Sequence, residues 1–315
     1  MKVRIEPDGV HCYDRVSGLH ILIDEIKTNL DHYSLAPRTV SIAITDKCDF
    51  ECSYCHVNLK NNFLEKDVII NYCKTLDNFG TFDIAFGGGE PTLHPDLIEI
   101  CQQVWNETNL GISITTHGHH LSPDKINSLM GRISLLRFSI DGIEPIYSQL
   151  RHKPLKNLIK VLEYTNGKIP IGFNTVVNSL TIKGLDELLE FAIQYKIAEL
   201  LLLPMINKGR TSLKDNEWNY LSEWINRNKD KVPLRISIFG KENLHVPLLF
   251  NSDYWDSDYA FIGADKIFRE NSYEKQGIEI KYNFDTIIKN WKSKHLEKIN
   301  TNYGLIPINA DTQYI

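Results

Sequence analysis

From residue 40 the chain alternates short β-branched, apolar runs with longer amphipathic segments, and this alternation constrains the fold more than any other feature. The strand candidates are Val40–Thr45, Phe82–Phe86, Gly111–Thr116, Ser134–Ser139, Ile171–Val177 and Glu199–Leu203. Each is nearly continuously apolar, the pattern of parallel strands covered on both faces. Helix candidates fall between them at 65–79, 95–108, 123–131, 155–166 and 183–195, with Pro95-Asp96 and Ser122-Pro123-Asp124 as start signals. Six successive β/α units with right-handed crossovers give an α/β protein on one parallel sheet, either open and doubly wound or an incomplete barrel. Both geometries place functional groups at the C-terminal ends of the strands.

The flanks differ in character. Residues 1–39 form an N-terminal extension in which Val3-Arg4-Ile5 and Gly18–Ile23 alternate as a hairpin about the turn Pro7-Asp8-Gly9. The hairpin is expected to cap the barrel bottom; the other reading is an edge strand offered to a peptide. Residues 40–210 are the core. Residues 211–315 form a C-terminal α+β region expected to close the barrel mouth, with a helix near 214–229, a strand at Leu234–Phe239, alternating segments Ala260–Ala264 and Gly277–Tyr282, and a helix at 284–295. The aromatic run from Tyr254 to Phe261 is expected to pack against the barrel.

The longest apolar stretch, Leu200–Ile206, is far short of the ~20 residues that span a bilayer, and the first residues lack a signal-peptide core. The expectation is a cytoplasmic protein without membrane partners. A net charge of −5 argues against a chain built to grip a phosphate backbone, so nucleic acid is an unlikely partner.

Six cysteines are present, and three lie within eight residues just after the first strand, as Cys48-x3-Cys52-x2-Cys55. Thiolates so spaced can converge on one metal centre. Structural zinc ordinarily takes four protein ligands, and His56, adjacent to Cys55, would be awkward as the fourth. Three cysteines suit a [4Fe–4S] cluster with one iron open. Cys12, Cys73 and Cys101 are scattered, and no cysteine follows Cys101, so one cluster is expected. After the second strand stands Gly87-Gly88-Gly89-Glu90-Pro91, in which glycines permit close ligand approach and Glu90 supplies a counter-charge for an amino group.

Taken together, Cys48-x3-Cys52-x2-Cys55 and Gly88-Gly89-Glu90 resemble the radical S-adenosylmethionine superfamily, and within it the branch of molybdenum-cofactor and peptide-maturing enzymes. The resemblance covers roughly residues 38–210 and extends to Tyr54, Ser139-Ile-Asp141-Gly142, Asn174 and Leu203-Pro204. It implies a partial (β/α)6 TIM-like barrel in which Cys48, Cys52 and Cys55 hold three irons and S-adenosylmethionine chelates the fourth. By the same resemblance, the Gly88–Glu90 backbone accepts from the methionyl amino group, while Ser139, Asp141 or Asn174 reaches the ribose or carboxylate. Tyr54 and the backbone around Pro204 frame the adenine, and Arg151 pairs with the cofactor carboxylate.

The implied activity is reductive cleavage of S-adenosylmethionine to a 5′-deoxyadenosyl radical that abstracts hydrogen, with a flavodoxin or ferredoxin as electron donor. The expected substrate is a ribosomal precursor peptide or a protein side chain, and the alternative is a small metabolite or nucleotide. A non-catalytic, zinc-stabilised binding module is the contrasting reading. The chain departs from its relatives at Thr115-Thr116-His117-Gly118-His119-His120, where Thr-Asn-Gly is common. His117 is therefore a candidate for substrate binding, proton donation or metal binding, with His119 and His120 beside it. Cys12, the one thiol outside both the barrel helices and the clustered trio, is a candidate hydrogen donor.

Overall fold

The computed structural model describes residues 1–6, 9–26, 28, 32–34, 36–205, 212–237, 244, 259–281, 283–291 and 293. The chain opens with the expected antiparallel hairpin extended to three strands, β1 (Lys2–Glu6), β2 (Gly9–Asp14) and β3 (Leu19–Ile23). Their pattern is inverted. Arg4, Glu6, His11 and Tyr13 face inward and are buried, while Val3, Leu19, Ile21 and Ile23 face outward and are exposed. The inward polar face fits because it meets backbone carbonyls: Arg4 Nη1 donates to Gly80 O at 2.6 Å, and Arg15 Nη1 to Thr108 O at 2.7 Å. Ser134 Oγ in turn donates to Arg15 O at 2.6 Å. These partners lie at strand starts and helix ends, so the small sheet caps the barrel bottom, opposite the strand ends that carry the motifs.

Eight strands run parallel: β4 (Thr39–Thr45), β5 (Asp83–Gly88), β6 (Gly111–Thr116), β7 (Leu135–Ser139), β8 (Ile171–Val177), β9 (Glu199–Pro204), β10 (Leu234–Ile236) and β11 (Tyr259–Ile262). Their spatial order is β10-β9-β8-β7-β6-β5-β4-β11, and β12 (Ile267–Arg269) and β13 (Ile278–Glu279) continue it antiparallel. Among the described residues no ladder joins the two ends, so the barrel is partial.

Five helices cover the outer face: α1 (Lys66–Asn78), α2 (Leu97–Glu107), α3 (Pro123–Leu129), α5 (Leu155–Thr165) and α6 (Leu185–Gln194). Between α3 and α5 lies α4 (Ile146–Arg151), a six-residue helix absent from the sequence reading. Each long helix buries one stripe, such as Leu155, Leu158 and Leu162 on α5, against strand residues Ile42, Ile84, Ile112 and Leu136. A fully buried Leu or Ile stabilises by about 1.5–3 kcal/mol. The inner face departs from the continuous-apolar expectation: Ser41, Asp83, Ser113, Thr115, Arg137, Ser139 and Asn174 are small or polar there. An open barrel that admits ligands needs that hollow.

The described part of the C-terminal segment lengthens the sheet at both edges. β10 pairs with β9 and β11 with β4, both in parallel. Helix α7 (Asp215–Asn228) and helical residues at 284–291 match expectation. Residues 238–239, 254–258, 282, 292 and 294–295 of the expected C-terminal elements lie outside the described residues. No helix among the described residues is long and apolar enough to cross a membrane.

Candidate active site

The cysteine loop leaves β4 and is tied shut at its base. Asn62 N and Nδ2 donate to Asp46 Oδ1 and Oδ2 at 2.8 and 2.7 Å, and Thr45 Oγ1 donates to Asn62 O at 2.7 Å. Within it, Cys55 N donates to Cys52 O at 3.0 Å, and Phe50 N donates to Cys48 Sγ at 3.4 Å. Cys48 and Cys52 are half-buried and Cys55 is exposed, whereas Cys73 and Cys101 are sealed inside α1 and α2. Burial pushes the Cys48 thiol up to about 11, with the Glu90 and Asp49 carboxylates adding to the rise. Burial also raises Cys52, against the pull of the Arg151 guanidinium. Thiols in such surroundings deprotonate when a bound cation replaces the proton.

The three sulfurs do not all lie within 4.8 Å of one another. Tetrahedral zinc, with bonds of about 2.3 Å to sulfur, would draw its thiolates closer than that. His56 packs against the Tyr273 ring at 4.6 Å. Three thiols suit a cluster with one iron open.

The glycine turn after β5 docks on this loop: Gly89 N donates to Thr45 O at 2.9 Å and Glu90 N to Lys47 O at 2.8 Å. The Glu90 side chain corrects an expectation. Its oxygens accept from Thr92 N at 2.9 Å, Thr116 Oγ1 at 2.6 Å, His117 N at 2.9 Å and the Thr92 hydroxyl. The carboxylate is buried and braces the β5 and β6 exits, so it is not an open counter-charge.

His117 is engaged as well. Its Nε2 lies 3.0 Å from Asp49 Oδ1 and 3.3 Å from Glu90 Oε2, and its Nδ1 accepts from His119 N at 3.1 Å. Burial lowers its pKa despite the two carboxylates. The ring is a structural tie in the protein rather than a free proton donor. His120 Nε2 reaches Asp49 Oδ2 at 2.9 Å, and His119 Nε2 lies 3.1 Å from Tyr147 Oη.

Beyond β7, Asp141 gathers three elements. Oδ1 accepts from Val176 N of β8 at 3.0 Å, and Oδ2 accepts from Tyr54 Oη and lies 2.7 Å from Arg151 Nη2. Arg151 and Tyr147, four apart on α4, face the same way, and the guanidinium stands 5.8 Å from both the Tyr54 and Tyr147 rings. Its Nη1 is 4.0 Å from Cys52 Sγ. Asp141 and Arg151 thus pair with each other beside Cys52, while the Arg151 Nε is buried with no hydrogen-bond partner among the described residues. Tyr54 is held to Asp141 through its hydroxyl at the cysteine loop.

Ser139 and Asn174 are cross-strand partners on the inner face. Asn174 Nδ2 reaches Thr115 Oγ1 at 3.5 Å, while its Oδ1 is buried with no hydrogen-bond partner. An orphaned acceptor on the inner face fits a ligand hydroxyl. Pro204 ends β9 with its ring on the helix side, leaving Leu203 and Met205 toward the hollow. Cys12 lies in β2 on the capping sheet, at the wrong end of the barrel for the role of hydrogen donor. The sequence reading missed Asp49, Phe50 and Tyr147. Adjacency to Cys48 and the i, i+4 relation to Arg151 are the signals that mark them.

The sequence profile described as the radical SAM superfamily matches residues 42–192, from β4 into α6. A probable GTP 3′,8-cyclase of Saccharolobus islandicus is 26% identical over 223 residues, spanning 65% of this chain and 70% of the relative. Among solved structures, Streptococcus suis SuiB bound to precursor peptide SuiA superposes with a TM-score of 0.72 at 14% identity, over 92% of this chain and 87% of that one. SuiB bound to S-adenosylmethionine gives 0.70 at 14% identity, over 92% and 86%. The cysteine loop at the end of β4, the glycine turn docked on it and the partial barrel behind them make this chain a member of the radical SAM superfamily, an enzyme that uses a [4Fe–4S] cluster and S-adenosylmethionine.

Proposed function

We propose that this enzyme modifies a ribosomal peptide or protein side chain. The observation that carries the reading is the charge balance of the inner face. Glu199 bridges two guanidiniums, accepting from Arg137 Nε at 2.9 Å and from Arg235 Nη1 at 2.9 Å, and Arg137 Nη1 donates to Ser113 Oγ at 2.8 Å. Asp83 stands in the field of the same two arginines. Two cations are thus offset by two anions, and the other described residues of the inner strand faces, such as Ser41, Thr115 and Ser139, are neutral. A triphosphate needs an excess of donors and positive charge; an uncharged peptide segment does not.

When bound, the cluster supplies an electron to S-adenosylmethionine and so generates the radical that takes hydrogen from the substrate. The chain's own residues hold the thiols, the turn and the inner face in register at the strand ends, and keep the hollow shielded by its walls. Cys48, Cys52 and Cys55 are the proposed ligands, Ser139 and Asn174 face the nucleoside, and an external one-electron protein is the donor. A second reading has one support: the similarity to GTP 3′,8-cyclases favours a nucleotide.

Anaerobically reconstituted protein, given dithionite and S-adenosylmethionine, is to be incubated with GTP or with a short peptide encoded beside the gene. A mass change in the peptide with 5′-deoxyadenosine formed in proportion supports the proposal, and a cyclised nucleotide overturns it. Cys52→Ala is expected to abolish both the brown colour and 5′-deoxyadenosine release; release that persists removes Cys52 from the ligand set.

A further inference from the structure

The residue following the first cysteine is held with unusual thoroughness. Asp49 gives one oxygen to each of two histidines, Oδ1 to His117 at 3.0 Å and Oδ2 to His120 at 2.9 Å. The next residue, Phe50, lays its ring parallel to His117 with centroids 3.9 Å apart and 4° between planes. Phe50 also donates its N–H to Cys48 Sγ. His117 cannot swing away, because His119 N donates to its Nδ1 and Glu90 Oε2 flanks its Nε2. Since Nδ1 accepts, the ring proton sits on Nε2 and is directed at the carboxylates. A Cys48 sulfur, an Asp49 oxygen and a His117 nitrogen lie within 4.8 Å of one another. Asp49 therefore lies beside a cluster ligand without being needed as one.

We propose that Asp49, clamped by His117 and His120, is a positioning residue for the iron–sulfur cluster, fixing the Cys48 thiolate and lowering the cluster's reduction potential with its own negative charge. The inference rests on Cys48 being a ligand of the cluster. Potentials of such clusters follow net charge and hydrogen bonding at the sulfurs. A fixed anion within a few ångströms opposes the entry of an electron; the Asp49 carboxylate is itself exposed, and its buried partner His117 holds it at that distance. The clamp supplies rigidity: the loop has little backbone pairing between Lys47 and Asn62, so side-chain ties to the β6 exit set where Cys48 points. Partners that orient a metal's ligands typically alter metal retention by about 10–100-fold when lost.

The test uses the reconstituted full chain without substrate, and reads iron per chain, the midpoint in an EPR-monitored redox titration, and iron release to a ferrous chelator. Asp49→Asn keeps the size and removes the charge; it is expected to retain its iron and shift the midpoint positive. A purely structural Asp49 would leave that midpoint where it is. Asp49→Ala is expected to lose iron roughly tenfold faster. His120→Ala opens one arm of the clamp and speeds release, and His120→Gln, which keeps a donor, restores retention. An unchanged midpoint in Asp49→Asn overturns the proposal, as does His120→Ala holding iron as tightly as wild type. Wild-type protein that takes up no iron overturns the ligand assignment itself, a result distinct from either.

Discussion

At Gly88 the backbone has φ of +125°, and a Cβ there would overlap the carbonyl oxygen of Thr45. The glycine is required by the close approach of the turn to the cysteine loop, not only by a ligand. Gly88→Ala is expected to separate the two loops, and binding of S-adenosylmethionine, followed by calorimetry, should fall below detection while the far-UV spectrum stays helical. Asn174 offers the converse case, a buried acceptor with nothing to accept from. Asn174→Ala should weaken S-adenosylmethionine binding roughly fivefold, the loss of about 1 kcal/mol expected for one hydrogen bond. The type of residue at these positions was legible in the sequence. The use made of Glu90, His117, Asp141 and Arg151 was not, because each also spends polar atoms on partners 10 to 99 residues away, and no local pattern records that.

The N-terminal three-stranded sheet shows the same limit for an element. Its alternation was visible, but alternation does not say which face turns inward, and here the charged face does. Burial alone would raise the Glu6 carboxyl; the guanidiniums of Arg4 and Arg38 overcome it and hold the group at about 2. With the folded value below the ordinary 4.5, ionised Glu6 contributes its full stabilisation above pH 4.5 and loses it as pH falls through about 2. Glu6→Gln should therefore cost about 3 kcal/mol at pH 7, as for a broken buried pair, and the difference from wild type should shrink at pH 3; denaturant unfolding at both pH values reads it. Helix α4 escaped the sequence reading because six residues show too little periodicity, although its Arg151 reaches the cysteine loop and its Tyr147 reaches His119.

For the whole molecule, the edges of the sheet are where sequence and structure part most clearly. The segment beyond β9 contributes β10 to one edge and β11 to the other, so β4, which launches the cysteine loop, is an interior strand. That arrangement removes an exposed edge beside the site and couples the C-terminal segment to its stability. Phe268 of β12 is buried against Phe284 and Trp291, with centroids 5.7 and 5.1 Å away. Phe268→Ala should lower stability by about 3–5 kcal/mol and increase the susceptibility of the β11–β12 segment to limited proteolysis, with the β5–β9 core intact.

The amino-acid sequence alone determined the order of β/α units, the strand ends that carry the motifs and the thiol spacing that suits a cluster with one open iron. These are properties of neighbouring residues, set by hydrophobic period, glycine freedom and ligand chemistry. Only the tertiary structure decided which carboxylates are open and which are spent, that Asp49 lies between two histidines, and that β4 lies inside the sheet. Such outcomes depend on contacts between distant segments, whose energies appear only once the chain has closed on itself.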